Sequence, residues 1–137
     1  MKWKKISKTA VVLLVLLVIS ACARAGDRPY PLLGPEGAAR MIAENRDNGD
    51  FVILDIRTPK EYRAGHIADA RLLDFYSSQF PAGVEKLEKD KTYLVYCRTG
   101  NRTGKAQRLF AKAGLEKVYE LAGGIRAWAA AKKPMVH

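Results

Sequence analysis

A strand that ends on a cysteine, followed by a short polar loop and then a helix, constrains this chain most. The run Tyr93–Tyr96 is apolar, β-branched and aromatic, which is typical of a strand, and the continuous apolar run Phe51–Asp55 is typical of a strand covered on both faces. Cys97 follows the first of these runs, a polar loop runs to Arg102, and from Ala106 onward apolar residues recur at helical spacing. Open α/β sheets bind their ligands at the carboxyl ends of strands, so this pattern predicts a nucleophile site at Cys97.

The loop after Cys97 is suited to an ionised sulfur. A helix N-terminus and nearby cations stabilise a thiolate, and Arg98 and Arg102 supply the cations. Backbone N–H groups of such a turn can converge in front of the sulfur and hold a persulfide or an oxyanion there. We therefore interpret Cys97 as a reactive nucleophile that needs no histidine base, the alternative being a buried structural thiol.

The first 21 residues are interpreted as a lipoprotein signal peptide. Met1–Lys8 is cationic, and Ala10–Ile19 is an unbroken apolar run, shorter than the roughly 20 residues that span a bilayer. The following Ile19-Ser-Ala-Cys22 resembles a bacterial lipobox, which implies cleavage before Cys22 and lipidation of that cysteine. An ordinary cleavage site beside an incidental Cys22 is the alternative. We expect a lipid-anchored protein of the bacterial cell envelope, facing the periplasm or another extracytoplasmic space.

Charge and cysteine count limit the partners. Four lysines in the first eight residues account for part of the net charge of +10, and without them the chain carries +6. Such a basic surface suits small anionic substrates or anionic lipid headgroups. The Lys and Arg residues are scattered among acids, so we expect no nucleic-acid partner. If Cys22 carries lipid, Cys97 has no partner in the chain, and an unpaired thiol in an oxidising compartment is a liability unless it reacts.

The remaining sequence predicts a tether over residues 22–31 and one α/β domain over residues 32–133. Periodicity and turn residues predict further strands at Leu32–Leu33, Phe51–Asp55, Ala70–Leu73 and Val118–Leu121, and further helices from Pro35 to about Asn45, over Gly83–Lys89 and from Ile125 to Ala131. His66 is interpreted as a turn or packing histidine, and Trp128 as a core residue. The aromatic loop Asp74–Pro81 is expected to line the site.

Several segments occur in the order and spacing of a rhodanese (sulfurtransferase) domain. They are Leu54–Arg57 with Glu61-Tyr62, Gly65-His66-Ile67, Cys97–Thr103 and Leu121–Trp128. The chain resembles that family from about Leu32 to Ala131. The resemblance implies an α/β domain with a central parallel sheet of about five strands and helices on both faces. The chain departs from the usual pattern at Ala68-Asp69-Ala70, where Pro-Gly-Ala is common.

The resemblance also implies that Cys97 cycles between thiolate and persulfide. The loop residues that would cradle the transferred sulfur are Arg98, Thr99, Gly100, Asn101 and Arg102. The two arginines would add positive charge toward an anionic donor such as thiosulfate, and a thiol or cyanide would accept the sulfur. Asp55 and Arg57 would be supporting structure beside the loop. Neither a metal ion nor a cofactor is expected.

The length of the loop separates related chemistries. Four residues lie between Cys97 and Arg102, and phosphatases of the same fold use a longer loop that admits a tetrahedral phosphate. The count argues against phosphatase or arsenate reductase activity. We therefore favour a thiosulfate sulfurtransferase-type enzyme. A persulfide carrier for one protein partner also needs Cys97 and stays open, while a phosphatase-like enzyme and a redox-sensing thiol are less favoured.

Overall fold

A computed structural model describes residues 29–137, so the predicted signal peptide and Cys22 lie outside the described residues. Strands and helices alternate along the chain as β1 (Leu32–Leu33), α1 (Pro35–Glu44), β2 (Phe51–Asp55), α2 (Pro59–Arg63), β3 (Arg71–Leu72), α3 (Phe80–Glu85), β4 (Thr92–Tyr96), α4 (Asn101–Lys112), β5 (Val118–Leu121) and α5 (Gly124–Ala130). Within this range no helix has the length and apolar character needed to cross a membrane.

The five strands form one parallel sheet in the order β1-β5-β4-β2-β3. This confirms the predicted parallel sheet of about five strands. The central strand β4 pairs with β2 on one side and β5 on the other. Cys97 follows the last residue of β4, so the candidate nucleophile lies at the carboxyl edge of the sheet, in its middle.

Alternate residues of the central strands pack against helices on opposite faces. Val52 and Leu54 belong to the cluster that contains Phe110 of α4, whereas Ile53 belongs to the cluster that contains Trp128 of α5. Successive side chains of a strand point to opposite faces. Because both faces are covered, an unbroken apolar run is what such a strand requires, as the sequence predicted for β2.

The predicted bounds of several elements differ from those in the structure, most clearly for α3 and β3. The helix predicted at Gly83–Lys89 instead spans Phe80–Glu85, because Pro81 suits a first turn and the buried Phe80 ring anchors its start. The strand predicted at Ala70–Leu73 is reduced to Arg71–Leu72, which pairs with β2 alone at the edge of the sheet.

Helix α2 was not predicted, although the sequence carries its signal. Thr58 precedes Pro59, and Glu61 lies three residues after Thr58. The Glu61 backbone N–H donates to the Thr58 hydroxyl at 3.3 Å, and the Thr58 N–H donates to the Glu61 carboxylate at 3.1 Å. This reciprocal capping box fixes the start of a helix of only five residues, and it holds the Glu61 side chain in place.

The unusual turn at Ala68-Asp69-Ala70 places a non-glycine residue in the left-handed region. Asp69 has a φ of 63°. An L-residue with a Cβ adopts this conformation at a cost, and aspartate tolerates it better than most residues do. The turn therefore keeps a glycine-like backbone without a glycine.

The C-terminal residues pack back onto the segment that follows α2. His66 and Val136 exchange two backbone hydrogen bonds of 2.9 Å, and the Trp128 indole donates to the Pro134 carbonyl at 2.9 Å. The His66 ring stacks on Tyr62 with centroids 3.7 Å apart, and its Nδ1 lies 3.0 Å from the Tyr62 carbonyl oxygen. His66 thus has the packing role predicted for it, and Trp128 is buried in the core as expected.

Candidate active site

Cys97 is a free and almost fully buried thiol whose sulfur accepts a hydrogen bond from its own loop. Its exposed fraction is 1%, and the Gly100 backbone N–H donates to Sγ at 3.1 Å. The hydroxyl oxygen of Thr103 lies 4.0 Å from the sulfur, and that hydroxyl donates to the Gly100 carbonyl at 3.0 Å. The chain thus folds back over the sulfur within six residues.

The backbone of Gly100 makes this close turn possible. Its φ of 97° lies in the region that favours glycine, and helix α4 begins at the next residue, Asn101. The twelve-residue helix directs its positive end toward the loop. A negative charge on Cys97 would therefore face both the Gly100 N–H and the start of a helix.

Helix α5 holds the carbonyl groups of the cysteine loop. The Ile125 N–H donates to the Cys97 carbonyl at 2.9 Å, and the Arg126 N–H donates to the Arg98 carbonyl at 3.2 Å. Gly124 precedes them with a φ of 60°, and a Cβ on it would lie 2.5 Å from the Cys97 carbonyl oxygen. A glycine at position 124 is thus required for this close approach. With these two carbonyls bound to α5, the loop can turn N–H groups such as that of Gly100 toward the sulfur.

Arg102 anchors the loop to helix α2. Its guanidinium donates two hydrogen bonds to the Glu61 carboxylate, at 2.7 and 2.6 Å, and Arg102 is largely buried. The hydrogen bonds from Arg102 lower the pKa of Glu61 to about 2, and those to Glu61 raise the pKa of Arg102. We expected the Arg102 charge to face a donor. In the structure Glu61 balances that charge, so Arg102 fixes the loop geometry.

Asp55 and Arg57 form a second buried pair beside the site. Arg57 donates to both Asp55 oxygens at 2.6 to 3.0 Å and to the Gly65 carbonyl at 2.8 Å, and its guanidinium lies 5.5 Å from the centre of the Tyr96 ring. Burial alone would lower the pKa of Arg57, but the hydrogen bonds and charge of Asp55 outweigh it and raise the pKa. The pair ties β2 to the Gly65 turn. The ion pair made directly with the cysteine loop comes from Glu61. The role of Asp55 and Arg57 as supporting structure for that loop therefore stays a prediction.

The Asp74–Pro81 loop reaches the same place from the other side. The Tyr76 ring centre lies 5.4 Å from the Arg102 guanidinium, and 69% of Tyr76 is exposed. A cation of this kind is attracted to the face of an aromatic ring. The structure thus brings this aromatic loop beside the cysteine loop, as the sequence predicted.

A cavity of about 320 Å³ opens beside the cysteine loop. Its lining residues include Arg57, Glu61, Gly65, Arg98, Arg126 and Met135. Arg98 and Arg126 are exposed, and within residues 29–137 neither side chain makes a hydrogen bond or an ion pair. The loop residues Thr99 and Asn101 are exposed as well.

Sequence reasoning did not assign Glu61, Arg126 and Met135 to the site. The role of Glu61 had a local signal, the capping box that fixes its side chain. Arg126 and Met135 had none, because only the folded chain brings the last helix and the C-terminal residues to the loop.

Comparisons with known proteins agree with this geometry. The family model of the rhodanese-like domain matches residues 38–131. A sulfurtransferase of Allochromatium vinosum is 37% identical over 90 residues, which cover 66% of this chain and 82% of that protein. The probable adenylyltransferase/sulfurtransferase MoeZ of Mycobacterium tuberculosis is 32% identical over 111 residues, which cover 80% of this chain but only 28% of the relative.

Solved structures show the same fold. The crystal structure of a rhodanese-related protein from Thermoplasma volcanium superposes with a TM-score of 0.65 at 29% identity, covering 78% of this chain and 98% of that one. The match of the family model, the parallel sheet and the cysteine loop at its carboxyl edge lead to one conclusion: the chain belongs to the rhodanese-like domain family.

Proposed function

We propose that this protein is a sulfurtransferase that carries sulfane sulfur as a persulfide on Cys97, taking it from an anionic donor such as thiosulfate. The observation that carries the proposal is the position of Sγ, 3.1 Å from the Gly100 N–H, in a tight loop in front of α4. A thiolate and a terminal persulfide sulfur both bear negative charge, which N–H groups and a helix N-terminus stabilise. The sulfurtransferase relative from Allochromatium vinosum supports the same activity.

The proposed reaction has two steps. The Cys97 thiolate attacks the outer sulfur of thiosulfate, a new S–S bond forms, and the original S–S bond breaks as sulfite leaves with the electron pair. The product is a Cys97 persulfide anion. An acceptor thiolate or cyanide then attacks the terminal sulfur, and the Cys97 thiolate is released. With cyanide the second product is thiocyanate.

The test is mass spectrometry of the purified full-length protein after incubation with thiosulfate. One sulfur, about 32 Da, should be added on Cys97 alone, with release of sulfite, and cyanide should remove it as thiocyanate. The Cys97→Ser variant should gain no sulfur. If wild-type protein gains none from any sulfane donor, the proposal is wrong.

A second candidate is a persulfide carrier that delivers sulfur to one protein partner. The exposed Tyr76 ring over Arg102 favours it, because an aromatic side chain at the rim of a site suits a protein contact. A carrier would be loaded by thiosulfate but would turn over slowly with cyanide and small thiols. Fast turnover with those small acceptors would favour the enzyme.

We also propose that the protein is anchored by lipid at Cys22 in the bacterial cell envelope, with the domain outside the cytoplasm. The support is the cationic start, the apolar run Ala10–Ile19 and the Ile19-Ser-Ala-Cys22 sequence. Cell fractionation tests it. Wild-type protein should be found with membranes and should incorporate labelled fatty acid, and Cys22→Ser should do neither. Membrane association and labelling unchanged in Cys22→Ser would refute the anchor.

A further inference from the structure

The cavity beside the cysteine loop carries two positive charges that the neighbouring acids do not balance. Arg57 is paired with Asp55, and the loop residue Arg102 is paired with the lining residue Glu61, each through a contact of 2.6 Å. The remaining charges belong to Arg98 and Arg126, which form no ion pair in the described part of the chain.

The backbone holds these two arginines next to each other. The Arg126 N–H donates to the Arg98 carbonyl at 3.2 Å, beside the bond from Ile125 to the Cys97 carbonyl. Two like charges that line one cavity repel each other, and a ligand with two negative charges relieves that repulsion. Arg98 directly follows Cys97 in the chain, so the cavity adjoins the cysteine loop.

An apolar side chain also lines the cavity. It belongs to Met135, and the neighbouring backbone bonds between His66 and Val136 hold this segment in place. The cavity of about 320 Å³ is several times the ~30 Å³ share of one water molecule, so it accommodates a small sulfur oxyanion with water. Within residues 29–137, the unpaired positive charges of its lining thus come from the cysteine loop and α5.

We propose that Arg126 is a donor-selecting residue, which together with Arg98 binds the two negative charges of an inorganic donor such as thiosulfate. This inference rests on the proposed persulfide function of Cys97 and adds a substrate preference to it. Organic thiosulfonates carry the same transferable sulfur but one negative charge, so they gain less from the second arginine.

The chemical step is the same for both kinds of donor. The Cys97 thiolate forms a bond to the outer sulfur, and the S–S bond of the donor breaks. Thiosulfate releases sulfite, and methanethiosulfonate releases methanesulfinate, each leaving with the electron pair. A change in KM that a variant shows with one donor and not with the other therefore reports on recognition of the donor's charge.

The experiment measures sulfur transfer to cyanide by the full-length protein, with thiosulfate or methanethiosulfonate as donor. Arg126→Gln should raise KM for thiosulfate roughly ten-fold, the effect of losing one charge-assisted contact, and should change KM for methanethiosulfonate far less. Arg126→Lys should keep most of the thiosulfate affinity. Sulfate, an unreactive dianion, should inhibit Arg126→Gln correspondingly less than wild type.

The matched control is Arg46→Gln, which removes an exposed arginine before the amino end of β2. It should leave both donors unaffected. An Arg126→Gln variant with wild-type KM for thiosulfate would overturn the inference, and so would equal losses with both donors. If wild-type protein takes no sulfur from either donor, the persulfide function itself fails, and the inference fails with it.

Discussion

The Arg102 guanidinium and the Glu61 carboxylate form a two-bond ion pair, at 2.7 and 2.6 Å, that joins the cysteine loop to helix α2. The Arg102 side chain is largely shielded from water, and that of Glu61 is partly shielded. The pair fixes the end of the loop, so its loss should affect the stability of the fold and the shape of the site together.

Replacing Glu61 by Gln should lower the free energy of unfolding at neutral pH by about 2 kcal/mol, because it leaves a largely buried guanidinium without its counter-charge. Sulfur transfer should fall as well. Glu36→Gln is the control, because its pair with Lys133 is exposed and should contribute less than about 1 kcal/mol. Equal losses in the two variants would contradict this view of Arg102.

The same pair predicts how stability depends on pH. The pKa of Glu61 is lowered from 4.5 to about 2 in the folded protein, so its contribution is present above pH 4.5 and is lost as the pH falls through 2. Denaturant titrations of wild type and Glu61→Gln should differ by a constant amount at neutral pH. That difference should shrink below pH 4.5. A difference that persists unchanged at pH 2 would contradict the assignment.

Gly124→Ala should destabilise the protein by at least about 2 kcal/mol, because the residue has a positive φ and a Cβ would overlap the loop backbone. Persulfide formation on Cys97 should fall at the same time, since the carbonyls of the loop would be displaced. Gly49→Ala, where a Cβ has no neighbour within 4 Å, should have little effect. Thermal unfolding and sulfur uptake of both variants provide the measurement.

Thr103→Val tests the hydroxyl beside the sulfur. It removes the hydrogen bond to the Gly100 carbonyl and should cost about 1 kcal/mol of stability. Because Gly100 supplies the N–H that binds Sγ, sulfur uptake by Cys97 should also slow. Thr103→Ser keeps the hydroxyl and should retain uptake close to that of wild type. If Val and Ser variants take up sulfur equally fast, the hydroxyl has no role in the site.

Asp69→Gly should stabilise the protein by up to about 1 kcal/mol, because glycine adopts the observed φ of 63° without strain. Asp69→Val should destabilise it, because a β-branched residue fits this region poorly. Sulfur transfer should be the same in all three proteins, since the turn lies outside the cysteine loop. Chemical denaturation decides the order of stability, and a stabilising Val would contradict the backbone argument.

The elements that are determined by residues adjacent in sequence could be predicted. The apolar run of β2 identified a buried parallel strand, that of β4 identified the strand before Cys97, and the residues after Cys97 identified the loop and its helix. The bounds of α3 could not be derived with equal accuracy, because the burial of Phe80 depends on helix α4 and the sheet.

Only the part of the site formed by residues adjacent in sequence could be predicted. The position of Cys97 follows from sequence, whereas the partner of Arg102 is 41 residues away and could not be chosen among the acids of the chain. The same holds for Arg126, because helix α4 and strand β5 separate it in the chain from its neighbour Arg98. Spacing along the chain contains no direct information about such contacts, which arise from the order of strands in the sheet.

The dependence of the cysteine loop on α5 has a consequence for biosynthesis. The Cys97 and Arg98 carbonyls find their partners on α5, which follows β4, α4 and β5 along the chain, so a nascent polypeptide that has just completed β4 and α4 cannot yet shape the loop. The surroundings of the thiol are thus completed only after α5 has been synthesised and has folded onto the loop. Any shortened product that lacks α5 would retain the cysteine but lose the environment that controls it.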